Sequence, residues 1–336
     1  MESFSRQNFL NRSQTLTGAT LIALSLLGVI SPGMAATKVS IAMDFVILGR
    51  HSPFFVALEK GFWAQRGLEV TISRGFGGVD TARRVAQKQV DFGFTDIAAT
   101  ALLRSQGMKL TQVAMIYQNW PHIVFAKPEV KKLKDLEGRF FGALPGSTGS
   151  QLMPAFAEVA GIDWSKVKVV NLDTAMQNAA LISGKVDAVS GFRFFIPFFR
   201  SKMPNASRFP WSDYGWKMYS TGIVVHDETL AQKSEIVRNF VGGALLGYKY
   251  AMEHPDEAVA ALVKHQPEIA RESANPEQPI IKELVMTPEA VEHGLGYFDP
   301  AKVRFSFDIL YRYMDLPKTI SPKDVYTDRV LPVIKP

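Results

Sequence analysis

Polar and aromatic side chains stand immediately after short apolar runs at several points of the chain. An acid, an aromatic ring and an imidazole follow the first run, a glycine-rich turn follows the second, and hydroxyl groups or an arginine follow later ones. Such groups donate and accept hydrogen bonds and stack on flat rings, which suits them to hold a small molecule. The candidate ligand-binding positions are Asp44, Phe45, His51, Gly77, Thr95, Asp96, Tyr117, Asn119, Trp120, Ser147, Thr148, Phe192 and Arg193.

Catalytic and metal-binding motifs are missing from the sequence. It contains no GxSxG, P-loop, HExxH or CxxC motif, its 6 His are widely separated, and it has 0 Cys. The lack of cysteine excludes disulfides, thiol nucleophiles, thiolate zinc sites and the lipobox of a bacterial lipoprotein. We expect no catalytic residue, no metal and no cofactor.

Several candidates have a structural alternative, because the same residue types begin helices. His51, Asp96 and Ser147 each precede a predicted helix and are either ligand contacts or caps, whereas Asp80 is interpreted as an N-cap. Free N–H groups at the helix start beside Ser147 also attract anions.

Aromatic and basic candidates leave a similar choice open. Tyr117 and Trp120 form a stacking wall for a flat ligand or pack a hinge, and Arg193 contacts ligand or makes a surface ion pair. The aromatic run 194–199 favours packing between lobes or against a partner protein over direct binding, since it is too dense for one small solute.

Strands and helices alternate along the chain, which positions these residues. Such β-α-β units predict parallel sheets with helices on both faces, and ligand sites lie outside the carboxyl ends of their strands. The predicted strands are 39–43, 68–72, 90–94, 113–117, 123–126, 140–144, 167–170, 186–189 and 222–225. The predicted helices are 52–66, 79–88, 97–104, 151–160, 176–183, 236–253, 255–264, 288–294 and 302–314.

The length of 336 residues, with 47% hydrophobic and 21% charged residues, predicts a globular protein of two lobes. Segments 67–94 and 166–192 echo each other in the order of their elements, so each lobe is expected to have its own sheet. We predict lobe 1 from residues 37–121 and 222–336, and lobe 2 from residues 122–221. The net charge of +6 comes from scattered basic residues, which argues against a nucleic-acid partner.

The first 36 residues have the order of an export signal. Arg6 and Arg12 precede an apolar stretch, 16–30, and small residues at 33–36 offer a cleavage site. A membrane anchor is the alternative, but the stretch is too short and too rich in Thr, Ser and Gly for a stable span. Residues 5–10 resemble a twin-arginine signal with Gln7 in place of the second arginine, which leaves the export route open.

Several short segments carry a family resemblance. Asp44-Phe45, the run 51–63 (HSPFFVALEKGFW) with Gly67-Leu68-Glu69-Val70, and Val90-Asp91-Phe92-Gly93 resemble the nitrate/sulfonate/taurine-type solute-binding proteins of ABC transporters, in the branch with thiamine-pyrimidine-binding proteins. The resemblance implies an α/β type II periplasmic binding protein fold, with a two-stranded hinge and a ligand cleft between two lobes. It also implies a small-molecule ligand, a permease with its ATPase subunit, and a periplasmic monomer without stable membrane insertion.

An enzyme lies close to this family. The similar thiamine-pyrimidine synthases use a lysine at a strand exit for pyridoxal phosphate, a histidine one helical turn later, and a cysteine-rich segment. Here Thr95 and Ala99 stand at the first two places and cysteine is absent, although His51 matches the family's His-x-Pro segment. Thr95 cannot form the imine, so the resemblance implies binding without catalysis.

The charges at the candidate positions indicate a ligand class. Two acids, Asp44 and Asp96, against one arginine, Arg193, favour a neutral or cationic aromatic heterocycle such as an aminopyrimidine. A sulfonate, taurine or nitrate would instead use Arg193 and the amides at Ser147 and Thr148. A sensor domain that serves no permease is a further alternative.

The order of charged, apolar and small residues in 1–36 predicts cleavage during export. The mature protein is expected to begin at Ala36 or Thr37, and mass measurement of the protein recovered from the periplasm checks this. An intact Met1 on a soluble cytoplasmic protein would contradict the prediction.

Overall fold

A computed structural model of the chain describes residues 36–145 and 147–336. The expected signal peptide therefore lies outside the described residues, apart from Ala36. Within the described part of the chain, no helix combines the length and the apolarity that crossing a membrane requires.

The first sheet has five strands in the order β2-β1-β3-β10-β4. Strand β1 runs parallel to β2 and β3, whereas β10 runs antiparallel to both β3 and β4. The strands are β1 Thr37–Ala42, β2 Leu68–Ser73, β3 Phe92–Asp96, β4 Leu110–Met115 and β10 Thr221–His226.

The second sheet repeats this arrangement in the order β7-β6-β8-β5-β9. Strand β6 is parallel to β7 and β8, and β5 is antiparallel to β8 and β9. The strands are β5 His122–Ala126, β6 Phe140–Ala143, β7 Lys168–Asn171, β8 Ala188–Phe192 and β9 Ser207–Pro210. The predicted echo thus corresponds to β2-β1-β3 and β7-β6-β8, which have the same strand order.

The prediction of purely parallel sheets is wrong for one strand in each sheet. The reversed strands, β5 and β10, are those that the chain enters directly after crossing from one sheet to the other. A strand entered from the neighbouring sheet needs no crossover helix, so nothing obliges it to run parallel to its neighbours. The α/β prediction itself is confirmed by the two sheets and the helices that pack on them.

The two crossings lie side by side, as expected for a two-stranded hinge. The backbone N–H groups of Ile116 and Tyr117 both donate to the carbonyl of Thr221, at 3.1 and 2.9 Å. The N–H of Ile97, at the start of a helix, donates to the carbonyl of Ser220 at 3.0 Å. Outgoing and returning segments are thereby fastened to each other where they leave the first sheet.

The helices mostly match the predicted segments, with shifted ends and several short additions. Helix α1 ends at Glu59, well before the predicted end at Arg66, and a 3₁₀ turn, Ala64–Arg66, follows it. The helices are α1 Ser52–Glu59, α2 Gly78–Ala86, α3 Ile97–Ser105, α4 Thr148–Val159, α5 Thr174–Ile182, α6 Ile196–Lys202, α7 Asp227–Gln232, α8 Ser234–Glu253, α9 Pro255–His265, α10 Arg271–Ala274, α11 Gln278–Val285, α12 Pro288–His293, α13 Pro300–Tyr313 and α14 Pro322–Val325.

Helix α13 packs in the same apolar cluster as the second sheet. Its residues Val303, Phe307 and Leu310 share that cluster with Leu152 and Phe156 of α4. Helix α13, which we predicted as part of lobe 1, therefore also packs against α4, which we predicted as part of lobe 2. The exact lobe boundaries stay a prediction.

The core of the first sheet depends on a stack of aromatic rings under α8. Phe240 of α8 stacks on Phe92 at 3.7 Å and on Trp63 at 5.3 Å between ring centroids. The indole N–H of Trp63 donates to the carbonyl of Phe240 at 2.8 Å. Gly243 lies against this indole, since a Cβ there would be 2.2 Å from Trp63 Cδ1.

Replacement of Gly243 by alanine is expected to destabilise the protein by about 2 kcal/mol or more, because the buried indole has no room to move. The adjacent Gly242→Ala is the control. Its Cβ would meet the flexible Arg66 side chain at 3.3 Å and Cγ of Pro332 at 3.6 Å, which is an ordinary van der Waals contact. The helix propensity of alanine then gives a change between zero and about 1 kcal/mol of stabilisation. Denaturant unfolding of both variants measures this, and equal stability would contradict the packing argument.

Candidate functional site

The carboxylate of Asp44, just beyond β1, is the centre of a buried polar group at the end of the first sheet. One oxygen accepts from Nε2 of His51 at 2.9 Å and the other from Nη1 of Arg50 at 2.8 Å. The Asp44 side chain keeps 16% of its surface exposed. Both partners come from the turn that starts α1, so one short segment fixes the orientation of this carboxylate.

His51 is held as a neutral imidazole with a defined tautomer. Its Nδ1 accepts the backbone N–H of Leu48 at 3.0 Å, so the proton is assigned to Nε2, which donates to Asp44. Burial and the neighbouring Arg50 charge lower the pKa of His51 to about 4, although the Asp44 carboxylate acts in the opposite direction. His51 is thus uncharged at neutral pH.

Arg50 and Asp44 keep their charges because they compensate each other. Burial alone would raise the pKa of Asp44, but the Arg50 charge and the His51 hydrogen bond outweigh it and hold that pKa far below the usual range. Burial would equally lower the pKa of Arg50, and the Asp44 charge raises it instead. Removing one partner of such a buried ion pair strongly destabilises the folded protein, because the other charge stays buried without compensation.

Helix α11 and the residue before it hold the turn in place from the far end of the chain. Glu277 accepts the backbone N–H of Arg50 at 2.7 Å, and Ser52 Oγ donates to Gln278 at 3.0 Å. The Gln278 amide in turn donates to the carbonyl of Gly49 at 3.2 Å. Burial raises the pKa of Glu277 to about 7, against the effects of Arg50.

Sequence reasoning missed these partners. Arg50 stands next to His51, and a basic residue between two candidates was a usable signal. Glu277 and Gln278 carry no local signal, because they approach from more than 220 residues away.

The starts of α2 and α3 form the rest of the first-sheet rim. Gly77 has φ 127, which favours glycine, and nothing lies within 4 Å of its would-be Cβ. Thr95 Oγ1 donates to the carbonyl of Gly78 at 2.7 Å, and Asp96 accepts the N–H of Ala99 at 2.7 Å. Asp96 therefore caps α3, and ligand contact at Gly77, Thr95 and Asp96 stays a prediction.

The candidates at the crossing are more deeply buried than the stacking hypothesis expects. Trp120 is 1% exposed, and its ring packs on His122 at 5.0 Å and on Trp211 at 6.3 Å between centroids. Packing of the hinge is thus what the structure shows for this ring. The Asn119 amide donates to the carbonyl of Glu283 at 3.2 Å.

One second-sheet candidate, Phe192, packs against His122, a buried residue that sequence reasoning also missed. Phe192 is 40% exposed and lies 4.4 Å from the His122 ring, centroid to centroid. A Cβ on Gly149 would lie 2.7 Å from Nε2 of His122, so only glycine lets α4 approach this closely. Ser147 caps α4 through the N–H of Ser150 at 3.1 Å, and Thr148 is the first helical residue.

Arg193 joins the two sheets through charge. Its guanidinium donates to Ser212 at 2.7 Å, lies 3.6 Å from Asp213, and reaches Glu283 on α11 at 3.2 Å. The next residue, Phe194, lies 5.6 Å from the Arg50 guanidinium carbon and 6.2 Å from the Tyr117 ring, both measured to the Phe194 centroid. The structure shows Arg193 in ion pairs, although its own side chain is buried and not at the surface as predicted. Ligand contact at Arg193 stays a prediction.

The structure thus places the candidates in three groups. Asp44, Phe45, His51, Gly77, Thr95 and Asp96 lie at the first sheet, Ser147, Thr148 and Phe192 at the second, and Tyr117, Asn119, Trp120 and Arg193 at or beside the crossings. His51 and Asp44 are two candidates that hydrogen-bond to each other directly. Asn119 and Arg193 both hydrogen-bond to Glu283. Among the described residues, no group of three or more His, Asp or Glu side chains is arranged to hold a metal ion.

Residues 49–258 match the family model described as NMT1/THI5 like. The chain is 27% identical over 272 residues to the riboflavin-binding protein RibY of Chloroflexus aurantiacus. The aligned region covers 78% of this chain and 77% of that protein. It is 26% identical to a formylaminopyrimidine-binding protein of Halalkalibacterium halodurans, over 70% of this chain and 72% of that one. A 22% identical relative from Legionella pneumophila, covering 69% and 75%, is a 4-amino-5-hydroxymethyl-2-methylpyrimidine phosphate synthase.

The fold is also that of solved binding proteins. The periplasmic aliphatic sulphonate-binding protein SsuA of Escherichia coli superposes with a TM-score of 0.65 over 85% of this chain and 96% of that one. The sequence identity is 13%, so the likeness concerns the fold alone. It confirms the predicted periplasmic binding protein fold.

The buried His122 predicts a pH dependence of stability. Burial lowers its pKa to about 3, whereas the unfolded chain protonates near 6.5. The unfolded state therefore binds more protons between these values, and stability is full above about pH 6.5 and falls as the pH is lowered towards 3. His122→Asn is expected to reduce the stability lost between pH 7.5 and pH 5 by about 2 kcal/mol relative to the unmutated protein.

Denaturant unfolding of the variant and of the unmutated protein at the two pH values measures this difference. The effects of other titrating groups, such as His51 and Glu277, cancel because both proteins contain them. His293→Asn, at an exposed position, is the control and should leave the difference unchanged. An unaltered pH dependence in His122→Asn would show that His122 is not kept neutral by the fold.

Proposed function

The chain belongs to the NMT1/THI5-like family, and from that premise we propose that it is the solute-binding component of an ABC importer. In this role it captures a small molecule between its two lobes and delivers it to a permease, which is served by a separate ATPase subunit. The observation that carries the proposal is the buried group of Asp44, Arg50 and His51 at the end of the first sheet, which Phe194 approaches from the second sheet.

The lobes of the proposed binding protein are residues 37–121 with 222–336, and residues 122–221. Two adjacent crossings that are hydrogen-bonded to each other support this division, because such a pair of segments can serve as a hinge. We place the protein in the periplasm as a monomer, with cleavage near Ala36. The periplasmic location of the structural relative supports this placement.

The ligand proposed for this site is an aromatic heterocycle, with an aminopyrimidine as the specific candidate. Two relatives are named for binding riboflavin and formylaminopyrimidine, both of which contain nitrogen heterocycles. The charges of the candidate site also favour a ligand without net charge. Arg50 is paired with Asp44, and Arg193 is paired with Glu283 and Asp213. A sulfonate or nitrate would therefore meet no unmatched arginine at the candidate site, and these anions are the second choice.

Catalysis is not part of the proposed function, despite the synthase among the relatives. The hydroxyl of Thr95 is buried and donates to the carbonyl of Gly78, and a threonine forms no imine. At equimolar pyridoxal phosphate, the purified protein should show no imine absorbance beyond the weak reaction of its exposed lysines. The gene neighbourhood distinguishes a stand-alone sensor from an importer component, because the gene of a sensor needs no neighbouring permease gene.

Thermal unfolding with a ligand panel tests the proposed function. At about a hundredfold over Kd, 4-amino-2-methylpyrimidine is expected to stabilise the fold by roughly 2.7 kcal/mol, a Tm shift of several degrees. Riboflavin, taurine, methanesulfonate and nitrate complete the panel. Asp44→Asn keeps the shape of the side chain, but it lowers the Tm of the free protein because Arg50 loses its counter-charge. Measured from that lower Tm, the shift caused by the pyrimidine should be smaller, because the charged acceptor is lost.

Glu69→Gln, in an exposed pair on the edge strand β2, is the matched control and should behave like the unmutated protein. Stabilisation by methanesulfonate or nitrate, undiminished in Asp44→Asn, would replace the heterocycle by an anion. Stabilisation by no member of the panel would reject the proposed ligand class.

A further inference from the structure

Two buried tyrosine hydroxyls near Arg50 make no hydrogen bond at normal distance with any described residue. Tyr117 follows β4 and Tyr248 lies in α8, and both side chains are at most 1% exposed. Neither hydroxyl bonds to another group at normal distance within the described residues. Buried polar atoms in native proteins are nearly always satisfied, so these two point to a partner that binds there.

Packing holds both rings in place. Tyr117 lies edge to face on Phe94 at 5.4 Å, and Tyr248 lies edge to face on Phe54 at 5.5 Å, between centroids. Phe54 and Phe94 contact each other at 5.1 Å, which makes one continuous aromatic layer. The hydroxyls therefore cannot swing towards water to find a partner, because their rings are fixed.

Arg50 lies close to both hydroxyls. Burial raises the pKa of Tyr117 and Tyr248, and the Arg50 charge acts in the opposite direction on each. Only Nη1 of Arg50 makes a normal hydrogen bond within the described residues, to Asp44. Tyr117 lies between Arg50 and Tyr248 under the ring of Phe194, and these three groups interact with one another only at longer than normal hydrogen-bond distance. The only acceptors among them are the two hydroxyl oxygens.

We propose that Arg50, Tyr117 and Tyr248 form a subsite that receives a neutral hydrogen-bond acceptor of the ligand, a ring nitrogen or a carbonyl oxygen. The subsite rests on the proposed function, and it specifies which edge of the heterocycle enters first. Arg50 only donates, and the hydroxyls can donate, so an acceptor placed among them satisfies three groups at once. Asp44 then faces the donor edge of the same ligand.

The charges around the subsite select a neutral acceptor. Arg50 and Asp44 cancel, His51 is uncharged, and Asp96 lies at the α3 start with a raised pKa caused chiefly by burial. Glu277 titrates near neutral pH and adds up to one negative charge. A buried anion would find no net positive charge to compensate it, so full anions are excluded relative to neutral acceptors.

NMR of protein labelled at the tyrosine Cζ carbons tests the subsite directly. Pyrimidine and benzene are the matched probes, since they share shape and differ in the two ring nitrogens. We expect pyrimidine to shift the Tyr117 and Tyr248 signals saturably, and benzene and methanesulfonate to leave them unchanged at pH 7.5. Tyr248→Phe, which keeps the ring and assigns its signal, should weaken pyrimidine binding about tenfold.

Tyr250→Phe is the control variant, because this nearby hydroxyl is exposed and bonded to Glu257 at 2.8 Å. It should bind pyrimidine like the unmutated protein. Equal shifts from benzene, a shift from methanesulfonate, or no shift from pyrimidine would each overturn the subsite. If pyrimidine shifts the two signals while 4-amino-2-methylpyrimidine gives no thermal stabilisation, the proposed ligand fails and the subsite stands.

Discussion

The buried ion pair between Asp44 and Arg50 is the constraint on which the candidate site depends. Neither charge is tolerable alone in this position, so the turn that carries Arg50 must be held against the end of β1. His51 completes the pair without adding charge, because its tautomer is set by the N–H of Leu48. The site is therefore rigid on its first-sheet side before any ligand arrives.

Helix α11 connects this rigid side to the crossings. Its first residue, Gln278, bonds the Gly49–Ser52 turn. Its other end receives the N–H groups of Gln118 and Asn119 at the carbonyl of Leu284, and Glu283 meets Arg193. One short helix thus contacts the candidate site, the outgoing crossing and Arg193 after the second sheet, which links the geometry of the site to that of the crossings.

Local patterns in the sequence predicted most elements, because strands and helices there follow their own apolar periodicity. The capping interpretation of Asp96 and Ser147 also came from local sequence and matches the structure. Helix α11 and the direction of β5 and β10 were not predictable in this way. They follow from long-range pairing, such as Glu277 with Arg50 or β10 with β3, which leaves no periodic signal in either segment.

The net charge of the candidate site was predicted wrongly from the sequence. Counting Asp44 and Asp96 against Arg193 implied a negative site, but it omitted Arg50 and treated Arg193 as free. In the structure Arg50 neutralises Asp44, while Glu283 and Asp213 take up the charge of Arg193. Because the charges pair off within the protein, what the site offers a ligand is directional hydrogen bonding and aromatic surface, which distinguish flat heterocycles by the order of their donors and acceptors.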